Sequence, residues 1–127
     1  RQVKLKPIIL KNSQDLISEK YKLGNNPINF VFHGGSGSSM SEIREAIDYG
    51  AIKMNIDTDM QYAFMEASRD YFTENIDYLK TQIGNPDGPG NPNKKFYDPR
   101  VWLRKSEENF VKRLVKSFED LNNVNTL

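Results

Sequence analysis

The stretch Ile28-Asn29-Phe30-Val31-Phe32-His33-Gly34-Gly35-Ser36-Gly37-Ser38 joins a short apolar run to a loop rich in glycine and serine. Residues 28–32 are mostly β-branched or aromatic, which is typical of a strand buried on both faces in a parallel sheet. The glycines let backbone N–H groups approach a ligand closely, and the serines add hydroxyl donors. We therefore predict a ligand-binding loop directly after a buried strand.

A helix follows this loop, because Ser39-Met40-Ser41-Glu42 has the spacing of a capping box. The positive end of that helix beside the loop favours an anion such as phosphate. The loop lacks the Gly-Lys-Ser/Thr of a Walker loop, and Met40 stands where a dinucleotide fingerprint needs its third glycine. The alternative interpretation is a flexible turn without a ligand.

The same pattern then repeats. Residues 51–56 predict a second buried strand, Asp57-Thr58-Asp59 its exit loop, and residues 60–71 a helix. Residues 28–72 therefore indicate two tight βα units of a parallel sheet.

The flanking segments are less regular. Residues 3–10 indicate an extended approach or a short helix, and residues 14–23 a helix capped by Ser13 and ended by Gly24. Residues 84–99, with three prolines and three glycines among residues 84–93, predict a long loop of the kind that is often functional. Asp98-Pro99 predicts the start of a final helix. Its apolar stripe comprises Phe110, Leu114, Phe118 and Leu121.

Composition excludes several classes of protein. The 127 residues suit one domain or part of one, and the net charge of +1 gives no general attraction to nucleic acid. The absence of cysteine excludes disulfides and thiolate metal sites and suits a reducing compartment, so we expect a cytoplasmic protein. No apolar stretch reaches the length of a membrane span, and no signal peptide is visible. Because the first residue is arginine, we expect a processed chain or a piece of a longer one.

Two groups of polar residues are candidates for chemistry. His33, the only histidine, stands at a strand end, where its imidazole can bind zinc with further ligands from elsewhere, although a lone histidine is often structural. Asn55, Asp57 and Thr58 end the neighbouring strand and should share its rim, although turns also favour such residues.

A basic segment lies further along the chain. Residues 93–100 include Lys94 and Arg100, and arginine matches the geometry of phosphate with two parallel hydrogen bonds. A phosphate partner would explain Arg100 near a helix start. The alternative is an ordinary surface ion pair with Asp98 or Glu74.

Four ordered motifs, residues 29–38, 53–59, 84–86 and 92–102, together resemble the class II fructose-bisphosphate aldolases over essentially the whole chain. The resemblance implies an α/β fold, the (β/α)8 TIM barrel. Residues 28–72 would form its last two βα units, and residues 73–127 a C-terminal helical extension. The other strands, the other zinc-binding histidines and an acidic residue that handles the proton would lie outside this chain.

The resemblance also implies an activity. A class II aldolase is a metal-dependent aldehyde-lyase that reversibly cleaves fructose 1,6-bisphosphate into dihydroxyacetone phosphate and glyceraldehyde 3-phosphate in glycolysis and gluconeogenesis. Zinc polarises the ketone and stabilises an enediolate. The segment from 92 to 102 resembles this branch more than the tagatose-bisphosphate branch. Alternatives are a tagatose-bisphosphate aldolase and a non-catalytic phosphate-binding fragment.

The resemblance also implies a role for each matching residue of this sequence. His33 would bind zinc, while Gly34 and Ser36 would bind the dihydroxyacetone phosphate end and a monovalent cation, sodium or potassium. Asn55 would be catalytic, through a hydrogen bond to the enediolate.

The remaining roles concern the phosphates and the assembly. Asp57 and Thr58 would hold the ketose phosphate end, and Arg100, assisted by Lys94, would meet the other phosphate across a homodimer. The partners implied are the sugar phosphate, a second copy, and the remainder of the barrel, without which two open-edged strands should be unstable.

Overall fold

The computed structural model of the chain describes residues 6–33 and 37–126. In chain order the elements are α1 (Ile8–Tyr21), β1 (Phe30–His33), α2 (Met40–Asp48), β2 (Ala51–Asn55), α3 (Thr58–Glu74), α4 (Ile76–Leu79), β3 (Ile83–Asn85), β4 (Gly88–Pro92), α5 (Lys94–Tyr97) and α6 (Pro99–Asp120). They form two compact units: residues 1–57 with 116–127, and residues 58–115. No helix in the described ranges is long and apolar enough to cross a membrane.

The first unit contains the predicted parallel pair of strands. β1 and β2 run parallel, with Phe30 opposite Ala51 and His33 opposite Asn55. The helix between them begins with the predicted capping box, in which Ser39 and Glu42 bond each other's backbone N–H groups. The strand–helix–strand–helix order is therefore confirmed, and the two strands end side by side.

The prediction that both strands are buried on both faces is wrong. Val31 is 49% exposed and Ile52 is 68% exposed. Each of these strands has a single hydrogen-bonded neighbour among the described residues, so one edge of each is open and one face is only partly covered. The described residues form an α/β arrangement and no closed barrel.

Helix α1 begins and ends at residues other than those predicted. Pro7 stands at its N-cap, since proline suits a helix start where no N–H donor is needed. Ser13 lies inside the helix and donates its hydroxyl to the carbonyl of Ile9. Lys22, with φ of 54°, takes the left-handed position that was predicted for Gly24.

A buried glutamine ties α1 to the start of β1 and the end of α2. Gln14 is 3% exposed, and its amide oxygen accepts from the N–H of Ile28 at 2.9 Å. Its amide nitrogen donates to the carbonyls of Ile28 at 2.7 Å and Tyr49 at 2.9 Å. Gly50 passes beside this amide with φ of +95°, in the left-handed region that favours glycine.

In the second unit, hydrogen bonds join α3 to α6. α3 begins at Thr58, two residues earlier than predicted. Ser68 and the fully buried Ser106 share a hydrogen bond of 2.6 Å, and Asn109 donates to the carbonyl of Ala63 at 2.7 Å. The predicted start of α6 at Pro99 is confirmed.

The apolar stripe predicted for α6 is only partly covered. Phe110 and Leu114 are half-buried, whereas Phe118 is exposed. Phe118 and Leu121, both in the first unit, line an apolar groove beside α2 and β2.

The predicted loop of residues 84–99 is instead a hairpin followed by short helix α5. β3 and β4 pair antiparallel, and the N–H of Asp87 bonds the side-chain oxygen of Asn85 at the turn. Asn93 is fully buried and donates to the carbonyls of Thr81 and Gly84 at 2.9 and 3.0 Å. It also accepts from the Asn85 amide at 2.6 Å. These side-chain bonds shape a sequence whose glycines and prolines alone indicate only a loop.

Candidate functional site

His33 and Asn55 form the geometric centre of the candidate site in the first unit. They are the last residues of β1 and β2 and lie opposite each other in the parallel register. The Asn55 amide nitrogen lies 2.9 Å from Nδ1 of His33. The sequence predicted a shared rim, and the structure brings these two side chains into direct contact.

The other predicted residues near this edge are placed as follows. Asp57 follows β2 by two residues, and Thr58 is the first residue of α3, in the second unit. Gly34 and Ser36, predicted to bind phosphate and a monovalent cation, lie outside the described residues. Their roles, like those of Asp57 and Thr58, remain predictions.

The basic group lies in the second unit, where α5 leads into α6. Lys94 is the first residue of α5 and Arg100 the second of α6. Arg100 donates to the Asp98 carboxylate from Nε at 3.0 Å and from a terminal nitrogen at 2.6 Å, and its backbone N–H donates at 3.0 Å. The ion pair with Asp98, one of the two alternatives to a phosphate partner, is therefore present.

This pairing changes the acidity of Asp98. The hydrogen bonds from the side chain and backbone of Arg100 lower the pKa of the Asp98 carboxyl to about 2, and the charges of Arg100 and Lys94 act in the same direction. The Arg100 side chain is still 86% exposed. Its guanidinium therefore lies at the surface, where a phosphate in solvent can reach it.

Sequence reasoning missed two residues that support this basic group. Asp98 was identified only as a helix cap and a possible ion-pair partner, and its double contact with the guanidinium was not foreseen. Asn93 was counted only as part of the basic segment. Its side chain, directly before Lys94, donates to the carbonyls of Thr81 and Gly84 and so anchors the start of α5 to the hairpin. An asparagine directly before a Lys-Lys pair gives no local signal of burial.

The described residues supply only part of the donor set that a metal needs. His33 offers an imidazole at a polar strand end, a donor that suits zinc. Across residues 6–33 and 37–126, no cluster of three or more histidine, aspartate, glutamate or cysteine side chains could hold a metal ion. His33 therefore fits as one ligand, and the others have to come from outside these residues.

Parallel βα units with polar residues gathered where the strands end define a class of α/β protein. Such proteins bind ligands at the carboxyl edge of the sheet. The family model for class-II fructose-bisphosphate aldolase matches residues 1–126. The chain belongs to that family.

Relatives and a solved structure agree with this assignment. The fructose-bisphosphate aldolase of Haemophilus influenzae is 62% identical over 125 residues, which are 98% of this chain and 35% of that protein. The class 2 aldolase of Escherichia coli K12 is 50% identical, with the same coverage. The crystal structure of the Campylobacter jejuni aldolase matches 97% of this chain and 36% of its own, with 57% identity and a TM-score of 0.92. The chain thus spans about a third of the length of these relatives and matches their C-terminal part.

Proposed function

We propose that this chain supplies part of the active site of a zinc-dependent fructose-1,6-bisphosphate aldolase. The observation that carries the proposal is the contact between His33 and Asn55 at the ends of two parallel strands. A metal-capable imidazole and an amide donor then face one substrate from neighbouring strands. The reaction is reversible cleavage to dihydroxyacetone phosphate and glyceraldehyde 3-phosphate.

The same proposal includes the fold, the assembly and the cellular location of the enzyme. The two βα units belong to a (β/α)8 barrel, whose strand ends carry the catalytic groups. The enzyme works as a homodimer in the cytoplasm, within glycolysis and gluconeogenesis. The open edges of β1 and β2 support the proposal that further strands flank them.

Each candidate site residue then has a role in catalysis or binding. His33 is one of the protein ligands of zinc, which when bound polarises the substrate ketone. Asn55 donates a hydrogen bond to the oxygen that gains negative charge as the carbon–carbon bond breaks, because such donors stabilise developing charge. Gly34 and Ser36 hold one phosphate end and a monovalent cation.

The remaining residues hold the ends of the sugar. Asp57 and Thr58 orient the ketose phosphate end, and the first turn of α3 adds its N–H groups there. Arg100 binds the other phosphate in the orientation that Asp98 gives it, and Lys94 adds a second positive charge.

A chimera tests this assignment. Residues 1–127 replace the matching segment of the Campylobacter jejuni aldolase, to which they are 57% identical. The chimera should cleave fructose 1,6-bisphosphate, and removal of metal with EDTA should abolish cleavage. His33→Ala should remove activity, whereas Asn12→Ala, at an exposed position of α1, should leave it unchanged. A folded chimera without activity would favour the non-catalytic phosphate-binding alternative.

Substrate choice is tested with Arg100. The chimera should prefer fructose 1,6-bisphosphate over tagatose 1,6-bisphosphate. Arg100→Ala should raise KM by about tenfold or more, because a charge-assisted bond to phosphate contributes about 1.5–3 kcal/mol. An unchanged KM and preference in that variant would contradict the role given to Arg100, and a preference for tagatose 1,6-bisphosphate would favour the sister enzyme.

A further inference from the structure

Two polar contacts join α6 to the first half of α3. Asn109 donates from its side-chain amide to the carbonyl of Ala63 at 2.7 Å, and Arg113 donates from a terminal guanidinium nitrogen to the Asp59 carboxylate at 2.8 Å. The contact residues of each helix differ by four positions, so the two contacts follow one face of α3 and one face of α6. The second contact reaches the turn with which α3 begins.

The pair of Arg113 and Asp59 is better shielded from water than an ordinary surface ion pair. The two side chains are 30% and 40% exposed, and 54 residues of sequence separate them. By contrast, Arg104 and Glu107, which pair within α6, are each more than half exposed. Solvent and salt weaken a partly shielded pair less than an exposed one, so the charges of Arg113 and Asp59 offset each other effectively.

Asp59 creates a conflict of charge at the start of α3. It is the acidic residue of the first turn, directly after Thr58. The positive end of a helix favours an anion, and both a carboxylate of the first turn and a bound phosphate satisfy that preference. A phosphate held by Thr58 lies within about 10 Å of the Asp59 carboxylate, because consecutive Cα atoms are about 3.8 Å apart. Salt screens charges only partly over that distance, so an unpaired Asp59 would repel the phosphate.

We propose that Arg113 is a positioning residue for the ketose phosphate, which acts by neutralising Asp59 and holding its carboxylate against α6. The inference rests on the proposed function, in which Thr58 holds that phosphate. The ion pair removes the repulsion between the two anions and leaves the N–H groups of the first turn to the substrate. Arg113 thus assists phosphate binding through Asp59, without touching the phosphate itself.

Steady-state kinetics of the chimera with Campylobacter jejuni aldolase test this role. Arg113→Gln should raise KM for fructose 1,6-bisphosphate about fivefold, the size expected for one unpaired charge near a dianion, and change kcat by less than about twofold. Arg113→Lys keeps the charge and should retain most of the affinity. Lys112→Gln is the matched control, because it removes one positive charge from an exposed neighbouring position of α6, and its KM should equal that of the unsubstituted chimera. An unchanged KM in Arg113→Gln would overturn the proposal.

Asp59→Asn separates the charge effect from support of the fold. It breaks the same ion pair and keeps the size of the side chain, but it removes the repelling carboxylate and leaves the positive charge of Arg113 in place. Both Asp59→Asn and Arg113→Gln should lower the melting temperature, whereas only Arg113→Gln should raise KM. An equal rise of KM in the two variants would overturn the proposal, because the pair would then act only by stabilising the helix.

Phosphate binding gives a readout that does not depend on activity. Inorganic phosphate is titrated by calorimetry into an Arg100→Ala chimera, in which the other proposed phosphate ligand is absent. Adding Arg113→Gln should weaken binding about fivefold, whereas adding Asp59→Asn should leave it equal or tighter. Equal binding with Arg113 and with Gln at that position would overturn the inference. An inactive chimera that still shows the expected pattern would contradict the proposed function alone.

Discussion

Replacing Gln14 with alanine should loosen the start of β1 more than any exposed substitution in α1. The variant removes the partners of three backbone groups: the N–H and carbonyl of Ile28 and the carbonyl of Tyr49. A buried polar group left without a partner costs about 1–3 kcal/mol. At the lower end of that range, the three groups together cost about 3 kcal/mol, which corresponds to roughly a hundredfold change in an equilibrium.

Hydrogen exchange by mass spectrometry on the chimera measures this loss locally. In Gln14→Ala, peptides covering residues 26–33 should exchange about a hundredfold faster, because local opening no longer breaks these bonds. Peptides from α6 should keep their rate. Asn12→Ala is the matched control in the same helix and should exchange like the wild type. An acceleration below about threefold at residues 26–33 would refute the reasoning.

Gln14→Glu separates hydrogen bonding from packing. Glutamate has the same shape and keeps an acceptor for the N–H of Ile28, but its carboxylate faces two carbonyl oxygens without a donor. Near neutral pH, exchange in residues 26–33 should be at least as fast as in Gln14→Ala. As the pH is lowered, protonation supplies a donor, so part of the protection should return.

Three further outcomes are expected. Asn93→Ala should unfold the hairpin of β3 and β4, because it removes three side-chain hydrogen bonds at a fully buried position. Limited proteolysis should then cut within residues 84–92. Asn91→Ala, at an exposed position of the hairpin, should leave this segment resistant to the protease. Ser39→Ala should destabilise α2 by about 1 kcal/mol, seen as roughly fivefold faster exchange in residues 40–48, while Ser41→Ala should have a smaller effect. The pKa of Asp98 is lowered, so its stabilising pair with Arg100 should be complete above about pH 4 and lost as the pH falls through about 2. In Arg100→Ala, a carboxyl NMR titration should show the pKa of Asp98 returning toward its ordinary value.

Elements with strong local signals could be predicted from the sequence. The capping box at Ser39 and the proline at position 99 fix helix starts within a few residues of chain. The parallel pair followed from two apolar runs separated by one short helix. The position of Asn55 beside His33 followed in turn, because parallel strands end at the same edge of a sheet.

Features that depend on distant partners could not be predicted. Gln14 lies on a helix in which the apolar residues Leu16 and Tyr21 are exposed, whereas the glutamine is buried. Its burial depends on backbone groups 14 and 35 residues away. The hairpin likewise depends on Asn93, which contacts residues 8 to 12 positions earlier. Local composition carries no record of such contacts.

The close passage of Gly50 beside Gln14 has an evolutionary consequence. A β-carbon at position 50 would lie 2.5 Å from the Gln14 amide nitrogen and 2.9 Å from the carbonyl oxygen of Ile28. A smaller residue at position 14 would relieve the first clash but not the second, which involves backbone. The dependence between the two sites is therefore one-sided. Position 14 can be substituted, with loss of its hydrogen bonds, only while glycine stays at position 50. No substitution at position 14 makes room for a larger residue at position 50. In a set of related sequences, substitutions at 14 should occur against an unchanging glycine, so that pairwise covariation between these touching positions is weak.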